Sequence, residues 1–365
     1  MAESASAKKR VARLQSKRPV VRTVAAKKRR RPASRFRTSS FAEDITAGDQ
    51  FSGEDPIVRQ AAVDALGTMN GTLVAIDPGS GRILAMVNQK LALSQGAQPC
   101  STIKVAVALA ALSEKVIDRE TPLPLSRYTQ MNLTEALAVS NNAYFEAVGR
   151  SLGFRRVSYY ARQFGLGELA GLNIEGEHPG LFPAAEPARS QGGVGKMCSY
   201  GEGISITPLQ LGALVSAIAN GGTLYYLQHP ASAEEMVNFQ PKVKRLLPIT
   251  NLIPEISDGM VGAVEYGTAR SLRATFSEEQ VLGKTGTCSR AGTRFGWFAS
   301  YANTRYGRVV AVIFLQGGRP TYGPKAAEIS GHFYRALYDH NFFSEHAAST
   351  GSPERSSPAT VGVPQ

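Results

Sequence analysis

The chain has 365 residues, 43% of them hydrophobic, and a formal net charge of +12. That charge is local: residues 1–40 hold 14 of the 41 Lys and Arg and one of the 29 acids, which leaves 27 bases against 28 acids in the remainder. A near-neutral body of this size buries its own core without metal or disulfide help, and three cysteines cannot all pair within one chain, so a disulfide-built fold is not expected.

Residues 1–48 are rich in Lys, Arg, Ala and Ser without apolar periodicity, and are expected to be a disordered basic tail. Such a tail is drawn to polyanions without sequence preference. The tail is expected to be solvated, with contact to an anionic membrane surface or nonspecific contact to nucleic acid as the alternatives, and no specific nucleic acid is implied. No run of about 20 apolar residues is present, and no apolar segment follows the basic start, so neither a membrane span nor a signal peptide is visible.

The predicted body runs from 49 to 342. Asp55-Pro56 supplies an N-cap and a first-turn proline, and IVRQAAVDAL continues at helical spacing. GTLVAID, the turn Pro78-Gly79-Ser80-Gly81 and RILAMVN read as a β-hairpin. A helix is predicted from Ser101 to about Val116, apolar on nearly all sides and therefore central. Further helices are predicted at 133–151, 155–164, 207–220 and 255–266. Strands follow at 280–287, 294–302 and 307–316, then a helix at about 324–339. Residues 343–365, ending in Ser/Pro-rich sequence, are expected to be a second unstructured tail. Strands at both ends around a helical middle imply an α+β fold, with N- and C-terminal strands sharing one antiparallel sheet.

Three short stretches carry the chemistry. In Ser101-Thr102-Ile103-Lys104, a helix opening at Ser101 puts Lys104 one turn along on the same face. A serine is a poor nucleophile without an adjacent base, and a lysine serves as base only when desolvation or a nearby cation depresses its pKa. The apolar run after Lys104 supplies the desolvation. Alone the pattern is weak, because serine is a preferred helix start and Ser6-Ala7-Lys8-Lys9 in the tail matches it by accident. Ser140-Asn141-Asn142 and Lys284-Thr285-Gly286-Thr287 change its weight. Lys284 sits on an apolar strand, and Gly286 lets a substrate backbone approach closely.

In this order, on helix, loop and strand, the three stretches resemble the transpeptidase domain of penicillin-binding proteins. The resemblance runs from about Asp55 to Tyr338. It includes VAIDPGSGRILAMV, PCSTIK, GLGELAGLNIEGEHPGLFP, YGEGISITPLQLGALVSAIANGG, GTARSL and GWFASYA. It implies that Ser101 attacks the carbonyl of a D-Ala-D-Ala stem peptide or of a β-lactam, and that Lys104 takes its proton. Ser140 would relay a proton to the leaving amine, and Asn142 would hold the substrate amide. Lys284 and Thr285 would steer the substrate carboxylate and Thr287 would bind it. The backbone N–H groups of Ser101 and Thr287 would form the oxyanion hole. No cofactor or metal is implied.

Some positions depart from the family's pattern. Cys100 stands where glycine is usual before the nucleophile; it and Cys288 are expected to be small buried thiols, with one disulfide plus a free thiol as the alternative. Glu202 stands where glutamine is commoner. Tyr200 and Trp297 either line the cleft or belong to the core. No Glu-x-x-Leu-Asn follows Ser140, and Glu175 and Glu177 have the wrong spacing to activate a deacylating water, which favours slow hydrolysis and hence a transpeptidase. A D,D-carboxypeptidase, a serine β-lactamase, and a non-catalytic β-lactam or muropeptide sensor or scaffold are the alternatives. About 50 residues precede the predicted body, too few for a glycosyltransferase or pedestal domain, so a lone catalytic module is expected, with partner cell-wall proteins. The family implies a periplasmic or cell-envelope location.

Overall fold

The computed structural model describes residues 36–344. The expected tails at 1–35 and 345–365 lie outside the described residues.

Asp55 caps the first helix, α1 (Pro56–Leu66), its carboxylate accepting from the Ile57 and Val58 N–H groups, with Pro56 in the first turn. The hairpin follows as β1 (Gly71–Asp77) and β2 (Arg82–Val87). The helical middle contains α2 (Ile103–Ser113), α3 (Leu133–Ala138), α4 (Asn142–Gln163), α5 (Gly193–Tyr200), α6 (Pro208–Asn220) and α7 (Ile253–Glu265). The chain then returns to the sheet with β3 (Gln280–Arg290), β4 (Thr293–Thr304) and β5 (Gly307–Gly317), and ends in α8 (Gly323–Asp339).

The five strands form one antiparallel sheet in the order β2-β1-β5-β4-β3, so the first strand of the chain pairs with the last. The fold is α+β, as the pattern of elements implies. Both faces of the sheet are covered, so its strands are almost continuously apolar. Leu73, Ala75, Phe298, Ala311 and Ile313 face α1 and α8. Val74, Ile76, Trp297, Val312 and Phe314 face the helical body. Alternation along β3 puts Leu282, Lys284, Gly286 and Cys288 on the helical side, and Val281, Thr285 and Thr287 on the other.

Several boundaries differ from the sequence expectation. Residues 36–48 were expected in the tail, yet this segment is tied to the body. Arg37 N–H donates to Gly292 O, Asn70 N–H to Ser40 O, and Ser40 is 5% exposed while its Oγ accepts from Gly318 N–H. Phe343, also expected in a tail, is buried. The helix predicted over 133–151 breaks at Ser140, which has φ 59°. Helix α5 has no expectation to match. Its Gly-rich start is a poor helix former, and packing carries it: the Cβ position of Gly149 on α4 lies 2.7 Å from Cys198 Sγ on α5.

Candidate active site

Residues Ile103–Leu112 of α2 are all buried, Lys104 among them. Ahead of the helix, Cys100–Thr102 form one turn of 3₁₀ helix, and Thr102 Oγ1 donates to Pro99 O at 2.7 Å. Ser101 therefore sits inside that turn, two residues ahead of the α-helix, and Lys104 folds back beneath it. Lys104 Nζ lies within hydrogen-bond reach of four oxygens: Ser101 Oγ at 3.0 Å, Ser140 Oγ at 3.1 Å, Ser140 O at 2.7 Å and Asn142 Oδ1 at 2.7 Å. One amine thus touches both hydroxyls and the amide of the second stretch. Burial lowers its pKa to about 7, against an opposing pull from the Glu146 carboxylate.

The break at Ser140 is what makes this geometry. With φ 59°, Ser140 occupies the left-handed region, a conformation that persists in a non-glycine residue only where its surroundings enforce it. Asn141 caps α4 by accepting from Tyr144 N–H at 2.9 Å, while Asn142 turns its amide to Lys104. Asn142 Nδ2 in turn donates to the Tyr200 hydroxyl at 2.9 Å, which places Tyr200 behind the amide. Trp297 belongs to the core: it is fully buried, stacks on Phe314 at 4.1 Å and donates to Gln98 O at 3.0 Å.

Strand β3 closes the other side of the site. It is an edge strand, but the turn at residues 99–102 covers it, and Lys284 is 1% exposed. Lys284 Nζ donates to Thr285 O at 3.2 Å. Burial first, and the Lys104 amine second, push the Lys284 pKa well below the usual lysine range. A Cβ at Gly286 would lie 2.8 Å from Pro99 O and 3.3 Å from Cys100 Cβ, so the glycine admits the turn at residues 99–102. Thr285 and Thr287 point to the opposite face: Thr285 Oγ1 pairs with Thr268 Oγ1 at 2.6 Å, and Thr287 Oγ1 accepts from Gly323 N–H at 2.7 Å. Thr268 lines a cleft of about 590 Å³ with Gly267, Arg270, Ser271 and Pro324. Sequence reasoning singled out neither Thr268 nor Arg270, although both lie in the quoted stretch GTARSL.

The cysteines correct an expectation. Cys100 and Cys288 form a disulfide, with Cα atoms 5.5 Å apart, and Cys198 is the free, buried thiol. Their 188-residue separation in the sequence carries no pairing signal; the two meet because β3 lies against the turn at residues 99–102. Glu202 stands 3.5 Å from Gln98 Nε2. Among the described residues no carboxylate contacts Ser101 Oγ or Lys104 Nζ. Glu177 is engaged elsewhere, accepting from the Ala170 and Gly171 N–H groups.

Residues 71–337 match the family profile of the penicillin binding protein transpeptidase domain. Stage V sporulation protein D of Bacillus subtilis is 26% identical over 259 residues, covering 60% of this chain and 39% of that protein. Peptidoglycan D,D-transpeptidase MrdA of Acinetobacter baumannii is 24% identical over 367 residues, covering 79% and 54% respectively. The chain thus spans about half the length or less of these two relatives. Among solved structures, Pseudomonas aeruginosa PBP2 in complex with WCK 5153 superposes with a TM-score of 0.67 at 22% identity, over 82% of this chain and 81% of that one. The D,D-transpeptidase domain of an Eggerthella lenta peptidoglycan glycosyltransferase gives 0.62 at 20% identity, over 79% and 82%. These likenesses show a shared fold.

Proposed function

Because the chain belongs to the penicillin-binding protein transpeptidase family, we propose that it is a D,D-transpeptidase acting on D-Ala-D-Ala ends of peptidoglycan stem peptides through an acyl-enzyme at Ser101. The observation that carries this reading is the position of Lys104 Nζ, within hydrogen-bond reach of both Ser101 Oγ and Ser140 Oγ, with a pKa of about 7. At neutral pH a large fraction of the amine is unprotonated and able to act as a general base.

Neutral Lys104 takes the Ser101 proton as Oγ attacks the penultimate D-Ala carbonyl. The oxyanion is held by the backbone N–H groups of Ser101 and Thr287, and edge strands such as β3 carry N–H groups free of ladder partners. The proton passes from Lys104 through Ser140 to the leaving D-Ala amine. The amine of a second stem peptide then attacks the ester, and the cycle returns Ser101. Asn142 holds the substrate amide while its own carbonyl orients Lys104. Lys284, with Thr285, Gly286 and Thr287 on the same strand, forms the wall that meets the substrate carboxylate. An anionic carboxylate arriving there raises the Lys284 pKa, so that its charge comes with the substrate. β-Lactams acylate the same serine and act as inhibitors.

The engagement of Glu177 with the loop at 170–171 favours slow deacylation over a β-lactamase. The catalytic unit is assigned to the body, with its substrate in the cell envelope. Among the described residues no helix is long and apolar enough to cross a membrane. Contact of the basic tail with an anionic membrane surface, and of the body with partner cell-wall proteins, belongs to the same reading.

The test is intact-mass and peptide mass spectrometry after exposure to a penicillin, followed by turnover of a stem peptide with an acceptor amine. A stable adduct on the Ser101 peptide and a cross-linked product are expected. D-Ala release without cross-linking indicates a carboxypeptidase, and rapid nitrocefin turnover indicates a β-lactamase. An adduct with no peptide product indicates a sensor, and an adduct on another residue overturns the assignment.

A further inference from the structure

The Cys100–Cys288 disulfide joins the residue directly before Ser101 to the residue directly after Thr287. It therefore links the two backbone segments between which a substrate carbonyl would sit. Cys100 has φ 52°, in the left-handed region that glycine enters freely and a residue with a Cβ enters only under constraint. The neighbouring residues are fixed by other contacts. Gln98 O accepts from Trp297 Nε1, Pro99 O accepts from Thr102 Oγ1, and the turn is pressed against Gly286. Cys100 itself, fully buried, is tied to β3 through its sulfur.

We propose that this disulfide is a positioning element of the site: it holds Cys100 in the left-handed conformation, so that the hydroxyl and N–H of Ser101 keep their aim, and Ser101 is acylated at full rate only in the oxidised protein. Cys100 and Cys288 touch no substrate in this scheme and act through Ser101 and Thr287. The inference rests on the reading of Ser101 as nucleophile. Reduction by a dithiol proceeds by thiolate attack on the Cys288 sulfur, the partly exposed one, with Cys100 leaving as a thiolate. The second thiol of the reagent then resolves the mixed disulfide. Two protein thiols form, taking up the reagent's two protons, and the reagent departs as its cyclic disulfide.

The experiment measures the acylation rate of the full chain by a fluorescent penicillin, with free thiols counted by alkylation and mass spectrometry. The oxidised chain is expected to carry one thiol, Cys198, and the reduced chain three. Reduced wild type is expected to be acylated at least tenfold more slowly, and reoxidation to restore the rate. Two double variants separate positioning from general stabilisation, since both lack the cross-link. Cys100→Gly with Cys288→Ser is expected to be acylated at least tenfold faster than Cys100→Ala with Cys288→Ser, because only glycine adopts the required φ unaided. Both are expected to be insensitive to dithiothreitol. Equal rates for oxidised and reduced wild type, equal rates for the two double variants, or three thiols before reduction would each overturn the inference. Absence of labelling in every form overturns the assignment of Ser101, and this inference with it.

Discussion

Asn142 Oδ1 accepts from Lys104 Nζ at 2.7 Å, a closer contact than the 3.0 Å between that amine and Ser101 Oγ. The amide is fixed in turn by the Tyr200 hydroxyl, so the direction of the base is set from the second stretch of the site. Asn142→Ala is expected to slow acylation by about 10- to 100-fold, the range of one strong hydrogen bond. Tyr200→Phe, one step further out, is expected to cost only about fivefold. Stopped-flow labelling with a fluorescent penicillin measures both, and a larger effect for Tyr200→Phe would reverse this order.

The pKa of Lys104 sets the pH response. The active form is the neutral amine, so acylation falls about tenfold per unit below pH 7 and levels off above it. Lys104→Arg keeps its charge throughout and is expected to be inactive at every pH. A rate that stays flat from pH 5 to 9 in the wild type would exclude Lys104 as the base.

Stability carries the same signature. Lys104 has a lower pKa in the folded chain than the ordinary 10.5, so the unfolded chain binds more protons between about 7 and 10.5. Stability therefore rises with pH across that window and loses this gain as pH falls through 7. Lys284, shifted in the same direction, adds to the slope.

Lys284→Met removes a buried amine while keeping the length of the side chain. Urea unfolding at neutral pH is expected to show a gain of about 1–2 kcal/mol, as when a functional polar group is replaced by an apolar one of similar size. Acylation is expected to fall at least about 100-fold, on the scale of losing one charged contact in the transition state. A variant that loses both stability and activity would mark Lys284 as a structural residue.

Gly286→Ala tests the packing of the nucleophile turn. Its Cβ would meet Pro99 O at 2.8 Å, and neither backbone segment can yield without moving Ser101 or β3. The expected cost is about 1–3 kcal/mol of stability by denaturant titration, as for overpacking elsewhere, together with slower acylation. Unchanged stability would show that the turn is free to withdraw.

The sequence announces the long-range order of the fold because its signals are strong and local. Asp55-Pro56 starts a helix, the Gly-rich turns separate apolar strands, and Lys104 stands out in an apolar helix. Ser101, Lys104, Ser140 and Asn142 meet around one amine. Two features were hidden for physical reasons. The break at Ser140 interrupts a stretch with helical spacing on both sides, and tertiary contacts to Lys104 decide it. The disulfide joins residues 188 positions apart, a pairing that only the approach of β3 to the nucleophile turn creates. Gly286 is legible as a site of close backbone approach, and the turn at Pro99 is one backbone that reaches it.

The pairing of β1 with β5, residues 71–76 against 310–315, governs how the domain is born. A ribosome delivers the hairpin some 240 residues before its partner strand, and loop closure over that distance makes folding slow. During that interval one side of β1 offers an unpaired apolar edge. Until the last strand pairs with it, that edge is the kind of surface that promotes association between unfinished chains.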